Sequence, residues 1–518
     1  MVTLNPAFSI ISVLLFVVFV VFVATRRRKS KEITASLSSS SILYVEEEES
    51  DLKEPKSPIS LPIIGHLHLL GGYEVPYQAF SEIGKKYGDV ARLKLGGVRS
   101  IVVNGAFNVK EVLVTKGHHF DSRPDFKRYQ LLFSGNKQNS LAFSDWSYLQ
   151  KSRRDMLKSF AFPRAFTHKF YSLESIIIDQ TQILIKQLES GKNAKKIILH
   201  TCANIFTNHF CSKDFKIDDF DFTKMIENFD DVFYEVNQGY AADFLPFLLP
   251  FHTKRLKHMN DLTHYIRNFI LENVICERFE NFGVEDEPID YVESLIKQVK
   301  FGGEPELKWD TALFALEDII GGHSAIGNFL LKMLGYLVNE IDVQKKIQEE
   351  IDFATNTGNK NKFRKVSISD RNLMPYTESA ILEAIRLIAS PIVPRVANQD
   401  SSINGYRIKK GDTLFLNNYD VSMSEELWEV PKKFVPERFL INNKLSKPEF
   451  FLPFGGGRRG CMGYRMVQLV SLGILTTILQ NYTILPLPSH NYKVKVGSLA
   501  LPKKTYEFKF EKRNITII

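Results

Sequence analysis

The sequence predicts a mainly α-helical protein with a minor β part, placed behind one N-terminal transmembrane helix. Three observations lead to this fold class. Apolar residues recur at helical spacing through residues 311–340 and 342–355. Short strand-like pieces at residues 91–95 and 101–103 flank a glycine turn. Far upstream of them, an uncharged apolar run covers residues 7–24.

The apolar run at residues 7–24 is long enough to cross the hydrocarbon core of a bilayer as a helix. A cleaved secretory signal is the alternative, but its basic residues precede the apolar run. Here Arg26, Arg27 and Arg28 follow it, and no small-residue cleavage site is evident. Because Lys and Arg favour the cytoplasmic side, the rest of the chain is predicted to lie in the cytosol.

Three regions follow from this pattern. Residues 1–31 form the transmembrane anchor with its basic flank. Residues 32–62 are rich in Ser and Glu and end in a Pro-containing hinge, which is typical of a polar linker. Residues 63–518 contain no internal repeat and no second low-complexity break, so we predict one large domain there.

Composition excludes several classes of protein. A hydrophobic content of 44% with 24% charged residues is ordinary for a globular chain, so disorder throughout is ruled out. The formal net charge of +8 comes largely from the basic run after the anchor and does not indicate nucleic-acid binding. The four cysteines are far apart and form no disulfide framework, which indicates a reducing compartment: Cys202, Cys211, Cys276 and Cys461.

A glycine-rich loop surrounds Cys461 and leads into an apolar periodic run. Glycines let the backbone approach a flat ligand closely and adopt positive φ. Backbone amides at the start of a helix favour an anionic sulfur. The pattern therefore predicts a thiolate that points at a metal centre. The alternative from the loop alone is a buried structural cysteine beside a phosphate-type glycine loop.

The spacing in this loop is more specific than its glycine content. Phe454, Gly457, Arg459, Cys461 and Gly463 fit the pattern F-x-x-G-x-R-x-C-x-G, through which the chain resembles the cytochrome P-450 superfamily. The resemblance implies a haem-thiolate fold and monooxygenase activity, with haem b held through Cys461 as axial ligand to the iron. It also implies dioxygen and electrons from NADPH through NADPH-cytochrome P-450 reductase. Thiolate ligation favours O–O cleavage.

Two further motifs extend the resemblance. Glu383 and Arg386 form E-x-x-R in a helix-like segment, and Arg438 lies in the later Pro-Glu-Arg-Phe stretch. An i, i+3 pair of this kind is ordinarily a surface salt bridge that contributes little to stability. The resemblance instead implies a buried structural triad of these three residues on the haem-binding side.

Haem propionates need cations or donors, because two carboxylates beside a buried macrocycle cannot stay unpaired. By position, Arg459, Arg395 and Trp146 match the propionate partners of the family. The tryptophan motif of the family usually continues with an arginine four residues later. This chain has Gln150 there and then Lys151, which is the candidate substitute.

The oxygen-activating helix departs from the family pattern. The family usually carries an acid followed by an alcohol that relay protons to bound dioxygen, after two small residues. Here Gly321 and Gly322 are retained and are expected to leave room for oxygen, but Ser324 stands at the acid position and Ala325 at the alcohol position. His323 titrates near neutrality in principle, although a lone helix histidine is more often a packing residue. Ser324, acting through water, is the better candidate for the relay.

Four stretches narrow the resemblance: residues 145–150, 237–240, 243–246 and 318–328 are similar to insect Spook-type enzymes of the Halloween group. Such enzymes act in early oxidation steps between 7-dehydrocholesterol and the ketodiol precursor of ecdysteroid moulting hormones. The resemblance implies a single-pass protein of the endoplasmic reticulum membrane, with its catalytic domain in the cytosol. A lipophilic sterol would then reach the enzyme from membrane lipid.

Two other functions remain open from the sequence. The missing acid and alcohol also fit a haem-thiolate isomerase or dehydratase that rearranges an oxygenated substrate without a reductase. A non-enzymatic membrane haem protein that binds a sterol or a gas as a sensor is the third hypothesis. The cysteine loop does not separate these functions, and fold similarity does not settle the substrate.

Overall fold

Helices dominate the chain in the computed structural model, which describes residues 52–191, 193–303, 306–359 and 362–517. The α-helices are α1 (Pro76–Tyr87), α2 (Ala106–Lys110), α3 (Lys127–Leu132), α4 (Tyr148–Ala161), α5 (His168–Glu189), α6 (Ala194–Cys211), α7 (Phe220–Val236), α8 (Thr253–Ile270), α9 (Cys276–Asn281), α10 (Tyr291–Phe301), α11 (Trp309–Ile320), α12 (Gly322–Leu337), α13 (Ile341–Thr355), α14 (Pro375–Ile388), α15 (Asn418–Met423) and α16 (Tyr464–Asn481). The prediction of a mainly α-helical class is confirmed.

The strands are short and belong to small sheets. They are β1 (Val90–Leu95), β2 (Val98–Val103), β3 (Lys362–Phe363), β4 (Arg395–Val396), β5 (Ser401–Ile403), β6 (Tyr406–Ile408), β7 (Thr413–Leu416), β8 (Leu440–Ile441), β9 (Lys444–Leu445), β10 (Tyr482–Pro486), β11 (Phe508–Lys512) and β12 (Thr516–Ile517). The largest sheet among the described residues has the order β1-β2-β7-β4, in which only β2 and β7 run parallel. The other strands pair two by two.

Polar side chains start many of the helices. Ser147 caps α4, Thr167 caps α5, Asn193 caps α6, Asp219 caps α7 and Asp290 caps α10, each by accepting a bond from a backbone N–H of the first turn. Such a cap satisfies a donor that has no partner inside the helix. These capping residues therefore set the helix boundaries locally, before any tertiary contact forms.

Helix α12 lies within the main hydrophobic core, and nearly all of its side chains are buried. It comes very close to α6, because a Cβ placed on Gly327 would lie 2.6 Å from the Leu199 side chain. The periodic stretch 311–340 was expected to be one helix, but it is divided at Gly321 into α11 and α12. At this point the Ser324 N–H donates to the Gly321 carbonyl, three residues back, which tightens the turn locally.

The folded unit begins before the predicted domain boundary at residue 63. Lys53 exchanges backbone hydrogen bonds with Gly405 and Arg407, and Glu54 pairs with Arg92. Residues 52–62, the last part of the predicted linker, are thus attached to the domain because their backbone polar groups find partners there. The predicted anchor at residues 7–24 lies outside the described residues. Among the residues that are described, no helix has the length and apolar character needed to span a bilayer.

Candidate active site

The loop before α16 is shaped by its glycines. Gly457 has a φ of +61°, and a Cβ there would lie 2.5 Å from the Leu113 carbonyl oxygen. A side chain at this position is therefore excluded both by the backbone conformation and by the space. The loop closes on itself where the Cys461 N–H donates to the Phe454 carbonyl at 2.9 Å. This closure fixes the backbone of the cysteine at the entrance to the helix.

The Cys461 sulfur accepts hydrogen bonds from the backbone N–H groups of Gly463 and Tyr464. Burial raises the pKa of the thiol, whereas these two amides and the Arg154 charge act in the opposite direction. Cys461 keeps accessible surface, so its sulfur can be reached by a ligand. Amide donors and a nearby cation stabilise a thiolate. This donor set is suited to a metal-bound sulfur.

Arginines gather beside the cysteine loop. Arg459 donates to the carbonyl oxygens of Ala142 and Ser144, while Arg123 donates to carbonyl groups that include that of Pro394. Burial, together with the charges of Arg123 and Arg154, lowers the pKa of Arg459 to about 8. Burial likewise lowers the pKa of Arg395 to about 9, with Arg459 as the next cause. These buried cations repel one another, so the cluster requires an anion.

Several donors of this cluster are buried without a protein partner in the described part of the chain. They are Nε and Nη1 of Arg459 and Nε of Arg395. A buried N–H that stays unpaired costs about 1–3 kcal/mol, and more when it is charged. The two carboxylates of a haem would supply both the missing acceptors and the missing negative charge. The residues present therefore fit haem.

The tryptophan motif is arranged differently from the expectation. Lys151, the candidate substitute for the missing arginine, points to solvent and pairs with Asp155 at 3.2 Å. Arg154 instead reaches the loop and donates to the Gly460 carbonyl. Residues three apart on a helix lie about one turn apart along its axis, so Arg154 stands one turn beyond Lys151 on α4, where its guanidinium reaches the Gly460 carbonyl. Trp146 is half-buried, and the Arg458 guanidinium lies 4.9 Å from its ring centre.

Sequence reasoning missed Arg123 and Arg154 as members of the cluster. Arg123 lies in a loop far from the cysteine in sequence. Arg154 follows Lys151 and Arg153 in one basic stretch, so composition does not distinguish the residue that turns inward. Neither position carries a local signal.

The structure brings the predicted triad together. Arg386 donates two hydrogen bonds of 2.7 Å to the Glu383 carboxylate, and both side chains are fully buried. The same carboxylate accepts from the Val435 N–H at 3.0 Å and from Arg438 at 3.3 Å. Arg386 also donates to backbone carbonyls that include that of Ser422. The triad thus joins α14 to the segment that precedes the cysteine loop.

His323 and Ser324 are both fully buried near the start of α12. Nδ1 of His323 lies 2.6 Å from the Ile320 carbonyl oxygen, and because a carbonyl only accepts, Nδ1 must carry the proton. Burial lowers the pKa of this ring to about 4, so it is neutral at physiological pH and Nε2 is free to accept. The Ser324 hydroxyl therefore donates to Nε2 at 3.3 Å.

Gly321 and Gly322, at the start of this helix, allow two aromatic rings to pack closely against it. A Cβ on Gly321 would lie 2.9 Å from the Phe229 ring, and a Cβ on Gly322 would lie 3.0 Å from the Phe206 ring. The space at these glycines is thus taken by aromatic rings from α7 and α6. The Phe229 ring also meets the edge of His323, with ring centres 5.4 Å apart.

Comparison with known proteins agrees with this geometry. The family model described as Cytochrome P450 matches residues 55–510. The chain belongs to the cytochrome P450 family. It is 37% identical over 478 residues to Cytochrome P450 307a1 of Drosophila melanogaster, with 86% of each chain covered. It is 31% identical to Steroid 17-alpha-hydroxylase/17,20 lyase of Rana dybowskii, over 84% of this chain and 85% of that protein. It is 28% identical to Cytochrome P450 1A1 of Mesocricetus auratus, over 84% of this chain and 86% of that protein.

Membership in the family establishes the general chemistry. This P450 is a haem monooxygenase that uses haem b, dioxygen and electrons that a reductase delivers from NADPH. The family also implies a lipophilic substrate. The family that the cysteine loop indicated is confirmed.

Proposed function

We propose that this chain is a membrane-anchored sterol monooxygenase that acts in ecdysteroid biosynthesis, between 7-dehydrocholesterol and the ketodiol. The observation that carries the catalytic part is the Cys461 thiol with its two amide donors, beside buried arginines whose N–H groups have no protein partner. The sterol part rests on similarity. One relative is a steroid hydroxylase by name, and the insect relative is more similar still to this chain.

In this proposal Cys461 is the axial ligand, and Phe454, Gly457 and Gly463 shape the loop that presents it. Haem, when bound, supplies the activation of dioxygen through its thiolate-ligated iron. The amide groups that approach the sulfur favour its thiolate form over the protonated thiol. The loop itself is supported by the triad, because Glu383 accepts from the Val435 backbone upstream of it.

Arg395, Arg459 and Trp146 hold the propionates in this proposal, and Arg123 and Arg154 join them. Arg459 uses one nitrogen for backbone carbonyls and leaves two nitrogens for a ligand. A guanidinium that is already fixed by carbonyl groups loses little entropy when it binds a carboxylate. Arg154 links the two functions, since its charge acts on the Cys461 thiol while its side chain donates to the loop.

Ser324 is the proposed proton donor on α12, with His323 as its support. In the structure the hydroxyl hydrogen points to Nε2 of His323. Ser324 can deliver a proton toward the substrate side only when the hydroxyl rotates away or a water joins the chain. Neutral His323 donates its one N–H to the Ile320 carbonyl, so its role is to orient the serine.

The anchor is part of the same proposal. Residues 1–31 would hold the enzyme in the endoplasmic reticulum membrane, residues 32–62 would lead out of it, and the catalytic domain would lie in the cytosol. Deletion of residues 1–31 should weaken membrane insertion without loss of haem binding. Loss of haem in a soluble, folded truncation would contradict this division of roles.

One rival reading is favoured by a specific observation, the absence of the acid and alcohol at Ser324 and Ala325. A haem-thiolate isomerase or dehydratase would need neither. The deciding experiment incubates the purified full chain with candidate sterols, in parallel with and without reductase and NADPH. Oxidised sterol that forms only with reductase supports the proposal. Turnover without reductase supports the isomerase, and binding without turnover in either arm contradicts both enzymatic functions.

A further inference from the structure

A cavity of about 470 Å³ lies away from the cysteine loop, between α7, α12 and the C-terminal segment that joins β10 to β11. We call it the C-terminal cavity, and the residues of its lining that matter here are Tyr234, Lys332, Lys495, Leu501, Lys504 and Tyr506. Its volume falls in the range of small-molecule sites. None of the side chains described so far as cysteine-loop, propionate or relay residues lines it.

The wall of this cavity is held by buried polar side chains. Lys332 is fully buried on α12, and its amine donates to the carbonyl oxygens of Lys495 and Ser498. One turn earlier, Asn328 accepts from the Leu501 N–H at 2.8 Å. Lys195 on α6 donates to the Leu501 carbonyl at 3.0 Å. Side chains from two helices thus fix the segment at several backbone atoms, so the wall is built in advance of any ligand.

The charge of the C-terminal cavity is one-sided. Three lysines and His490 line it, whereas no Asp or Glu is among the described residues of its lining. Burial, together with the Lys495 charge, lowers the pKa of Lys332 to about 7 against the opposing effect of the Glu74 carboxylate outside the lining. Other carboxylates stand outside the lining: Asp230 pairs with Lys195 and Asp231 pairs with Lys503. A Glu507 oxygen lies 3.9 Å from the His490 ring.

The lining also carries several N–H and O–H donors. An ammonium group has three N–H donors, and Lys332 uses two of them on carbonyl oxygens, so one remains. The lining adds the hydroxyl groups of Ser498 and Thr505. Apolar surface from Leu501 and an aromatic ring from Tyr234 complete it. Converging cations and donors beside apolar surface match an oxyanion carried on an organic body.

We propose that the C-terminal cavity binds the phosphate or sulfate group of an organic ester. Lys495 and Lys504 supply the two accessible charges, and Lys332 supplies a fixed donor at the inner wall. A tetrahedral oxyanion offers several acceptor oxygens to these donors and opposes the repulsion among the lysines, whereas a neutral ligand would leave that repulsion in place. Phospholipid headgroups and soluble sulfated or phosphorylated compounds share this chemistry.

The test is a titration of the full-length holoenzyme in detergent, without substrate turnover, so its outcome is independent of the sterol proposal. The probes are glycerol 3-phosphate as a headgroup, a steroid sulfate as a soluble conjugate, and inorganic phosphate and sulfate. We expect saturable binding of at least one ester. The Lys495→Gln, Lys504→Gln double variant should bind it roughly tenfold or more weakly, since charge-assisted hydrogen bonds are lost.

Lys503→Gln is the matched control, because Lys503 is adjacent, lies outside the lining and pairs with Asp231 at 2.7 Å. It should bind as the parent does. Preference for glycerol 3-phosphate or for the steroid sulfate identifies the source of the ligand. If the double variant does not retain haem, the exposed Lys504→Gln variant alone carries the test. No saturable ester binding by the parent, or equal losses in Lys503→Gln and the double variant, would overturn the proposal.

Discussion

Replacement of Glu383 by Gln measures what the buried triad contributes to stability. The carboxylate is fully buried and accepts two bonds of 2.7 Å from Arg386 and one of 3.0 Å from the Val435 N–H. Glutamine keeps the volume but removes the charge, so the Arg386 cation stays buried with its partner neutral. Breaking a buried pair in this way costs about 3–5 kcal/mol. That is a large part of the total stability of a domain, roughly 5–15 kcal/mol.

The chain offers a control with the same spacing and the same charges. Glu82 and Lys85 also form an i, i+3 pair, at 2.8 Å, but their side chains are 54% and 72% exposed. Because solvent screens such a pair, Glu82→Gln should change the free energy of unfolding by no more than about 0.5 kcal/mol.

Urea unfolding followed by haem absorbance and tryptophan fluorescence provides the comparison. Trp428 is a suitable reporter, since its ring centre lies 5.0 Å from the Arg386 guanidinium. We expect the midpoint of Glu383→Gln to fall well below that of both the parent and Glu82→Gln. A loss of less than about 1 kcal/mol in Glu383→Gln, or equal losses in the two variants, would show that burial does not strengthen this pair as argued.

Three other variants test separate parts of the account. Arg459→Met should release haem to an acceptor protein about tenfold or more faster, since it removes charged donors worth about 1.5–3 kcal/mol each. Lys151→Met, at the solvent-exposed lysine that pairs with Asp155, should not. Equal haem retention in both variants would refute the propionate role. Ser324→Ala should lower product formed per NADPH consumed by roughly tenfold or more, as expected when a proton donor is lost, while Ala325→Thr should change it modestly. Unchanged coupling in Ser324→Ala would eliminate the serine relay. Burial lowers the pKa of His209 to about 4. Below about pH 6.5 the unfolded state therefore binds more protons than the folded state, and the free energy of unfolding should fall by about 2 kcal/mol between pH 7 and 5 from this group alone. His209→Asn should flatten this dependence of stability on pH, and an unchanged slope would show that His209 is not the group responsible.

The parts of the site that sequence could predict are those encoded at short range. The cysteine loop is one such part, because the glycines that shape it and the cysteine that they present lie within ten consecutive residues, residues 454–463. Glu383 and Arg386 are another, since they are three residues apart on one helix. The third member, Arg438, and the burial of the pair came from family resemblance and not from spacing, which by itself favours a surface salt bridge.

The remaining parts depend on tertiary structure. Arg123 joins the arginine cluster only through long-range bonds to the carbonyl groups of Val393 and Pro394, and Arg154 joins it because the fold places the end of α4 against the Gly460 carbonyl. At Gly321 the Phe229 ring lies where a side chain would stand, a contact that no local pattern reveals. The C-terminal cavity combines residues from α7, α12 and the C-terminal segment, so it exists only in the folded chain.

The most direct test of the central claim is the ligand to the haem iron. Cys461→Ser replaces a thiolate with an alcohol, a far poorer anionic donor, while Cys276→Ser, at the exposed cysteine on α9, is the matched control. The measurement is the absorption spectrum of the reduced carbon monoxide complex. We predict that the parent and Cys276→Ser show the thiolate-type band and that Cys461→Ser lacks it. A thiolate-type band in Cys461→Ser would contradict the assignment of Cys461 as the axial ligand.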